Sequence, residues 1–149
     1  EYFPNAKVSV LSNSTFIHRP DVHKALMSVD NNILKLDTID PLYINKVDRP
    51  TGTYDVKQVI DRMKSFNGHL IIQTMFMKGT YNGESVDNTT DKYVLPWLET
   101  IKEIAPQEVM VYTSDREAPA HGLLKATHEE LDSIRDRVIS MGIPCQASY

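Results

Sequence analysis

A single cysteine, Cys145, stands among 149 residues, so the chain can close no disulfide and build no cysteine-cluster metal site from its own residues. No apolar run approaches the roughly 18 residues of a membrane span. The opening Glu1-Tyr2-Phe3-Pro4 carries neither a basic segment nor the apolar core of a signal peptide. These absences set the expectation of a soluble, cytoplasmic protein with no membrane partner. A basic surplus is missing as well: 16 Lys and Arg stand against 20 Asp and Glu, for a net charge of −4. Nucleic-acid surfaces show a basic stripe, so nucleic acid is not an expected partner of this part. There is no GxGxxG and no P-loop, which leaves dinucleotide and NTPase readings unsupported, and no Gly-x-Ser-x-Gly elbow. His18, His23, His69, His121 and His128 show no metal-ligand spacing, so no metal ligand is assigned.

What is present is an ordinary globular composition, 41% hydrophobic and 24% charged, at a length that suits one domain. Short β-rich runs alternate with longer helical patterns. The runs are Lys7 to Ser12, Asn32 to Asp37, Leu70 to Phe76, Glu108 to Tyr112, and a weaker one from Ile143 to Ala147. The third and fourth are nearly continuous in apolar residues, which suits strands of a parallel sheet covered on both faces. Between them, residues 21–29, 54–66, 91–104 and 127–141 place apolar side chains at helical spacing. Thr127 and Glu130 form a capping box, and Gly142 marks a stop. The order predicts an α/β fold of βαβ units, either a small open doubly wound sheet or part of a barrel.

Binding groups of parallel α/β folds gather at the C-terminal ends of strands, and here every strand turns polar at that end. Ser12-Asn13-Ser14-Thr15 follow the first run. Lys35 and Asp37 share one side of the second by the period-two rule, as a structural ion pair or a site. Gln73 and Thr74 interrupt the most apolar strand, and a buried glutamine needs hydrogen-bond partners. Lys78-Gly79 follow it, and Thr113 to Glu117 follow the fourth. Cys145, beside Pro144, reads as a buried strand residue rather than a nucleophile.

The segments Val8 to Asn13, Ile33 to Thr38, Ile72 to Gly79 and Val109 to Tyr112 resemble consecutive strand ends of radical S-adenosylmethionine (SAM) enzymes. The likeness is to their Fe–S oxidoreductase branch, which includes wyosine-forming tRNA enzymes. The turns Asp48-Arg49-Pro50 and Arg116-Glu117-Ala118-Pro119 look like that branch too. The resemblance implies one partial TIM-like (βα)6 barrel over residues 1–149, supplying strands three to six. In the family a Cys-x-x-x-Cys-x-x-Cys loop holds a [4Fe–4S] cluster, and SAM is cleaved reductively to a 5′-deoxyadenosyl radical. The cluster loop is missing here, so the resemblance implies a piece of a larger oxidoreductase, inactive alone, with neither cofactor expected on it. It further implies SAM contacts from Ser12, Asn13, Lys35, Asp37, Gln73 and Tyr112, and substrate contacts from Arg49 and Arg116. Catalytic residues and the substrate, small or macromolecular, stay unassigned. Self-association through the open first strand is expected. The rivals are a barrel lyase or aldolase using Lys35 as a Schiff-base amine, and a non-catalytic binding module.

Overall fold

The computed structural model describes residues 3–114 and 121–149. Its elements in chain order are β1 (Ser9–Ser12), α1 (Pro20–Leu26), β2 (Asn31–Lys35), α2 (Pro41–Val47), α3 (Val56–Lys64), β3 (Ile71–Met75), β4 (Met77–Tyr81), β5 (Glu84–Ser85), α4 (Asp91–Ile104), β6 (Glu108–Tyr112), β7 (Leu123–Lys125), α5 (His128–Ser140) and β8 (Cys145–Ser148). Strands β1, β2, β3, β6 and β8 form one parallel sheet in that order. Strand order thus follows chain order, with a helical connection between each neighbouring pair.

Alternation along the strands sorts side chains onto two unlike faces. On one, Leu34, Ile72, Val109 and Val111 are buried and join a single core with Leu26, Met63, Trp97, Ile101, Leu131 and Val138 of the helices. On the other, Ile33, Lys35, Gln73, Met75, Met110 and Tyr112 are only half-buried, and none belongs to that core. Among the described residues the helices therefore cover one face, which selects the barrel arc over the doubly wound sheet. Covering of both faces, expected from the apolar runs, is corrected here. Ile71, Met75 and Met110 make those runs look continuous while pointing away from the helices. The same alternation places Gln73 on the open face, where no buried partner is demanded of it.

Local signals explain the helix starts. Asp40 accepts from the backbone N–H groups of Leu42 and Tyr43, and Asp55 from those of Lys57 and Gln58. Thr127 and Glu130 make the expected capping box on α5. Helix α2 was not expected; its seven residues are too few to show a period. A small antiparallel sheet, β5-β4-β7, was not expected either. It begins one residue after β3, so the run to Phe76 and the polar Lys78-Gly79 conceal a second strand. Its cue was Asn82-Gly83, both at positive φ, which joins β4 to β5 as a two-residue hairpin. Gly79 at φ +98° is required there, since a Cβ would stand 2.0 Å from the Gly122 carbonyl oxygen.

The contrast between faces gives a stability test. Leu34→Ala should cost about 2–5 kcal/mol in chemical denaturation, as truncation in a closed core does. Leu11→Ser, at a side chain 64% exposed on the open face, should stay within about 0.5 kcal/mol.

Candidate ligand site at the strand ends

Beyond β2 the chain keeps alternating, so Lys35 and Asp37 both face the open side. Lys35 Nζ lies 3.0 Å from Asp37 Oδ2, with side chains 33% and 6% exposed respectively. The other carboxylate oxygen of Asp37 accepts the Met75 backbone N–H at 2.8 Å. Asn88, buried, donates to the carbonyls of Asp37 and Met75 at 3.2 and 2.9 Å and accepts from Met77 N–H at 2.8 Å. The pair is thus an ion pair fixed from behind by the backbone of the next strand.

In front of it opens a cavity of about 220 Å³, walled by Asn13, Thr15, Lys35, Asp37, Asp48 and Tyr54 among others. The loop after β1 forms one rim. Ser12 Oγ accepts from Ser14 N–H and Asn13 Oδ1 from Thr15 N–H, both at 3.1 Å. Ser14 is held at φ +67° and donates to the Lys35 carbonyl at 2.9 Å. Those turns use the side-chain oxygens of Ser12 and Asn13 and leave the Asn13 amide nitrogen free of any intramolecular bond among the described residues. Asp48 and Pro50, just after α2, form the opposite rim.

The electrostatics divide the two acids. Burial raises the Asp37 carboxyl, and the nearby Lys35 ammonium and the Met75 N–H only partly offset it. Burial disfavours the Lys35 ammonium, but Asp37 more than compensates, so Lys35 is raised and stays charged. Asp48 keeps solvent contact at the rim, yet the protein packed around it and the charge of Asp37 push it up to about 6, against a smaller pull from Lys35. Burial also raises Tyr54 to about 12, with Asp48 and Asp37 adding to it. Tyr112 is raised, mainly by burial.

Of the residues read from sequence, Asn13, Lys35 and Asp37 meet at this cavity. Ser12 stands behind the loop. Gln73 sits beside Lys35 in register, and Tyr112 lies beyond Met75 on the same face. Arg49, at φ +47°, places its guanidinium 4.9 Å over the Tyr81 ring. Lys78 is paired with Glu130 at 2.8 Å rather than turned to the cavity. Arg116, with the rest of its turn, lies outside the described residues. Sequence reading missed Asp48 as a site residue, along with Tyr54 and Asn88, because each comes from a loop or short helix that carried no strand signal.

No family model matches the chain. A UPF0026 protein of Synechocystis sp. is 28% identical over 114 residues, 74% of this chain and 40% of that protein. A UPF0026 protein of Helicobacter pylori is 28% identical over 119 residues, covering 77% and 36%. One from Methanocaldococcus jannaschii is 25% identical over 114 residues, covering 73% and 33%. The chain thus spans well under half the length of these relatives. Among solved structures, a domain of pyruvate-formate lyase-activating enzyme from Bacteroides vulgatus superposes with a TM-score of 0.68 at 9% identity, over 95% of this chain and 82% of that one. A radical SAM methyltransferase from Sphaerobacter thermophilus gives 0.69 at 13% identity, over 95% and 40%. The fold is that of radical SAM barrel domains. No helix among the described residues is long and apolar enough to cross a membrane.

The Asp48 shift has a stability consequence. Its folded value exceeds the ordinary 3.8, so the native state binds the proton more tightly than the unfolded chain. The stabilisation contributed by the Asp48 proton is therefore lost as pH rises from about 4 through about 6, while the rest of the fold's stability is untouched by this group. Asp48→Asn should raise the denaturation midpoint at neutral pH and leave it nearly unchanged below about pH 4.

Proposed function

We propose that the complete protein is a radical SAM enzyme in which the five parallel strands of this chain form most of a (βα)6 barrel, one strand more than the four that the sequence resemblance implied. The reading is carried by the likeness in fold, along 95% of the chain, to radical SAM barrel domains, with a polar cavity at the strand ends where such folds place ligands. Reductive cleavage of SAM is the chemistry that this class of cofactor brings. The chain's own residues would bind and orient. Asn13, Lys35, Asp37, Gln73 and Tyr112 share the rim or open face, and Ser12 shapes the loop that closes it.

The donor set present does not fit an iron–sulfur cluster. Three thiolates are needed to hold one and leave an iron open, and the chain has Cys145 alone. That thiol is half-buried in β8 and pushed up to about 12, mainly by burial. Among the described residues no group of three His, Cys, Asp or Glu could hold a metal ion. In this reading the cluster belongs to residues outside the chain, and no step is assigned to it here. Self-association through the outer edge of β1 remains part of the same proposal. The Schiff-base alternative is disfavoured by Lys35 itself. A nucleophilic amine needs a lowered pKa, whereas Asp37 holds this one charged.

Two measurements test the proposal. The gene upstream of the Glu1 codon should encode Cys-x-x-x-Cys-x-x-Cys in frame; its absence removes the radical reading. In the full-length protein, reconstituted anaerobically, Gln73→Ala and Lys35→Met should each weaken SAM binding about tenfold by calorimetry, the loss of roughly one hydrogen bond to a charged group. Unchanged affinity in both variants would take this face out of the SAM site.

A further inference from the structure

The cavity holds one ammonium and two carboxylates, and the second carboxylate has no partner among the described residues. Among the described residues, the cations near it are engaged elsewhere. Lys35 is paired with Asp37 at 3.0 Å, Lys46 with Glu84 at 2.5 Å, and Arg49 lies over the Tyr81 ring. No ion pair or side-chain hydrogen bond joins Asp48 to any of the described residues. The remaining wall residues, Asn13, Thr15, Leu36, Thr38, Ile44, Pro50 and Tyr54, are uncharged. With both acids ionised the lining is one negative charge in excess.

The placement of Asp48 is unfavourable for the fold. It is the C-cap of α2, where the last carbonyls of a helix present partial negative charge. It also faces a like charge on Asp37. The groups that face it are Lys35 from β2 and Asp37 just beyond it, Tyr43 from α2, Tyr54 from the segment before α3, and Tyr112 from β6. All three tyrosines are phenols at neutral pH, the more so because burial raises them, so they can donate but supply no positive charge. A carboxylate set against a helix end and a second carboxylate, and open to a cavity, is matched by a cation arriving from solution.

We infer that this cavity takes the protonated amine of a ligand, with Asp48 as its counter-ion and Asn13 and Tyr54 beside it. The inference rests on reading the cavity as a ligand site and adds the chemical class it selects. An anionic group would meet the uncompensated carboxylate and is excluded. The ammonium could be that of a substrate or of SAM itself, and competition separates the two.

The test is an amide NMR titration of the full-length protein with 1,4-diaminobutane and, as its anionic mirror, succinate. The diamine should shift the resonances of Asn13, Thr38, Asp48 and Tyr54, while succinate leaves them in place. Its apparent Kd should rise about tenfold between about pH 7.5 and about pH 5, as Asp48 takes up its proton while the diamine stays charged. Asp48→Asn should show the weak, pH-independent binding at both values, and Asp48→Glu should restore affinity and pH dependence; this second variant guards against a loss that comes from misfolding. If S-adenosylhomocysteine displaces the diamine, the ammonium is the cofactor's; if both bind together, it is the substrate's. Succinate binding as tightly as the diamine, or Asp48→Asn keeping the affinity and its pH profile, overturns the inference. If S-adenosylhomocysteine shifts these amides and the diamine does not, the amine selectivity falls while the ligand site stands.

Discussion

Where β2 and β3 part at their C-terminal ends, the backbone ladder hands over to side chains. The Leu36 carbonyl accepts from the Thr74 hydroxyl at 2.8 Å and from the Trp97 indole N–H at 3.2 Å. One residue on, a carboxylate oxygen of Asp37 takes the Met75 N–H, and Asn88 spans the carbonyls of Asp37 and Met75. Backbone groups left bare at this depth would each cost about 1–3 kcal/mol, so the strands can diverge only because these side chains replace the missing ladder. The cavity opens beside this tie, lined by the loop after β1, the end of β2 and residues of and after α2. The same tie fixes its surroundings: Phe76 packs edge-on against Trp97 with ring centroids 5.5 Å apart, locking α4 to the strand end. Tyr43 donates to the Val86 carbonyl at 2.8 Å, binding α2 to the segment that carries Asn88.

Two aspartates within one cavity consequently differ in role. Asp37 has both oxygens engaged by the protein, one by the Lys35 ammonium and one by a backbone N–H, and its side chain is almost fully enclosed. Among the described residues Asp48 has neither kind of partner, and it stands at the rim. Placing such unlike carboxyls side by side is how a site separates a structural charge from an available one. The ion pair sets the floor of the cavity, and the rim acid sets its sign.

The parallel sheet was legible because Leu34, Ile72, Val109 and Val111 recur at strand spacing between helical patterns, and the Thr127–Glu130 box announced α5. The one-sided covering was not legible, since Ile71, Met75 and Met110 are as apolar as their core-facing neighbours. The period of an element tells which residues share a face, but composition alone did not tell which face the helices take. For the site, the polar strand ends led to Asn13, Lys35 and Asp37. Asp48 and Tyr54 escaped because they reach the cavity from a short helix and a loop whose positions depend on long-range contacts. Asn82-Gly83 shows that a local cue was present for the small antiparallel sheet and was overlooked beside the stronger pattern of β3.

The unequal faces of the strands also divide the burden of substitution. Residues on the helix side are tied to a close-packed interior, where a change of one methylene is felt by many neighbours. Their immediate sequence neighbours on the open side, apart from the Lys35–Asp37 pair and the buried Ile71, answer to looser packing and can be exchanged more freely. A single strand such as β2 thus carries two independent records, one constrained by the architecture and one free to follow whatever occupies the hollow. New recognition chemistry can then be written on alternate positions of the strands without refolding the protein.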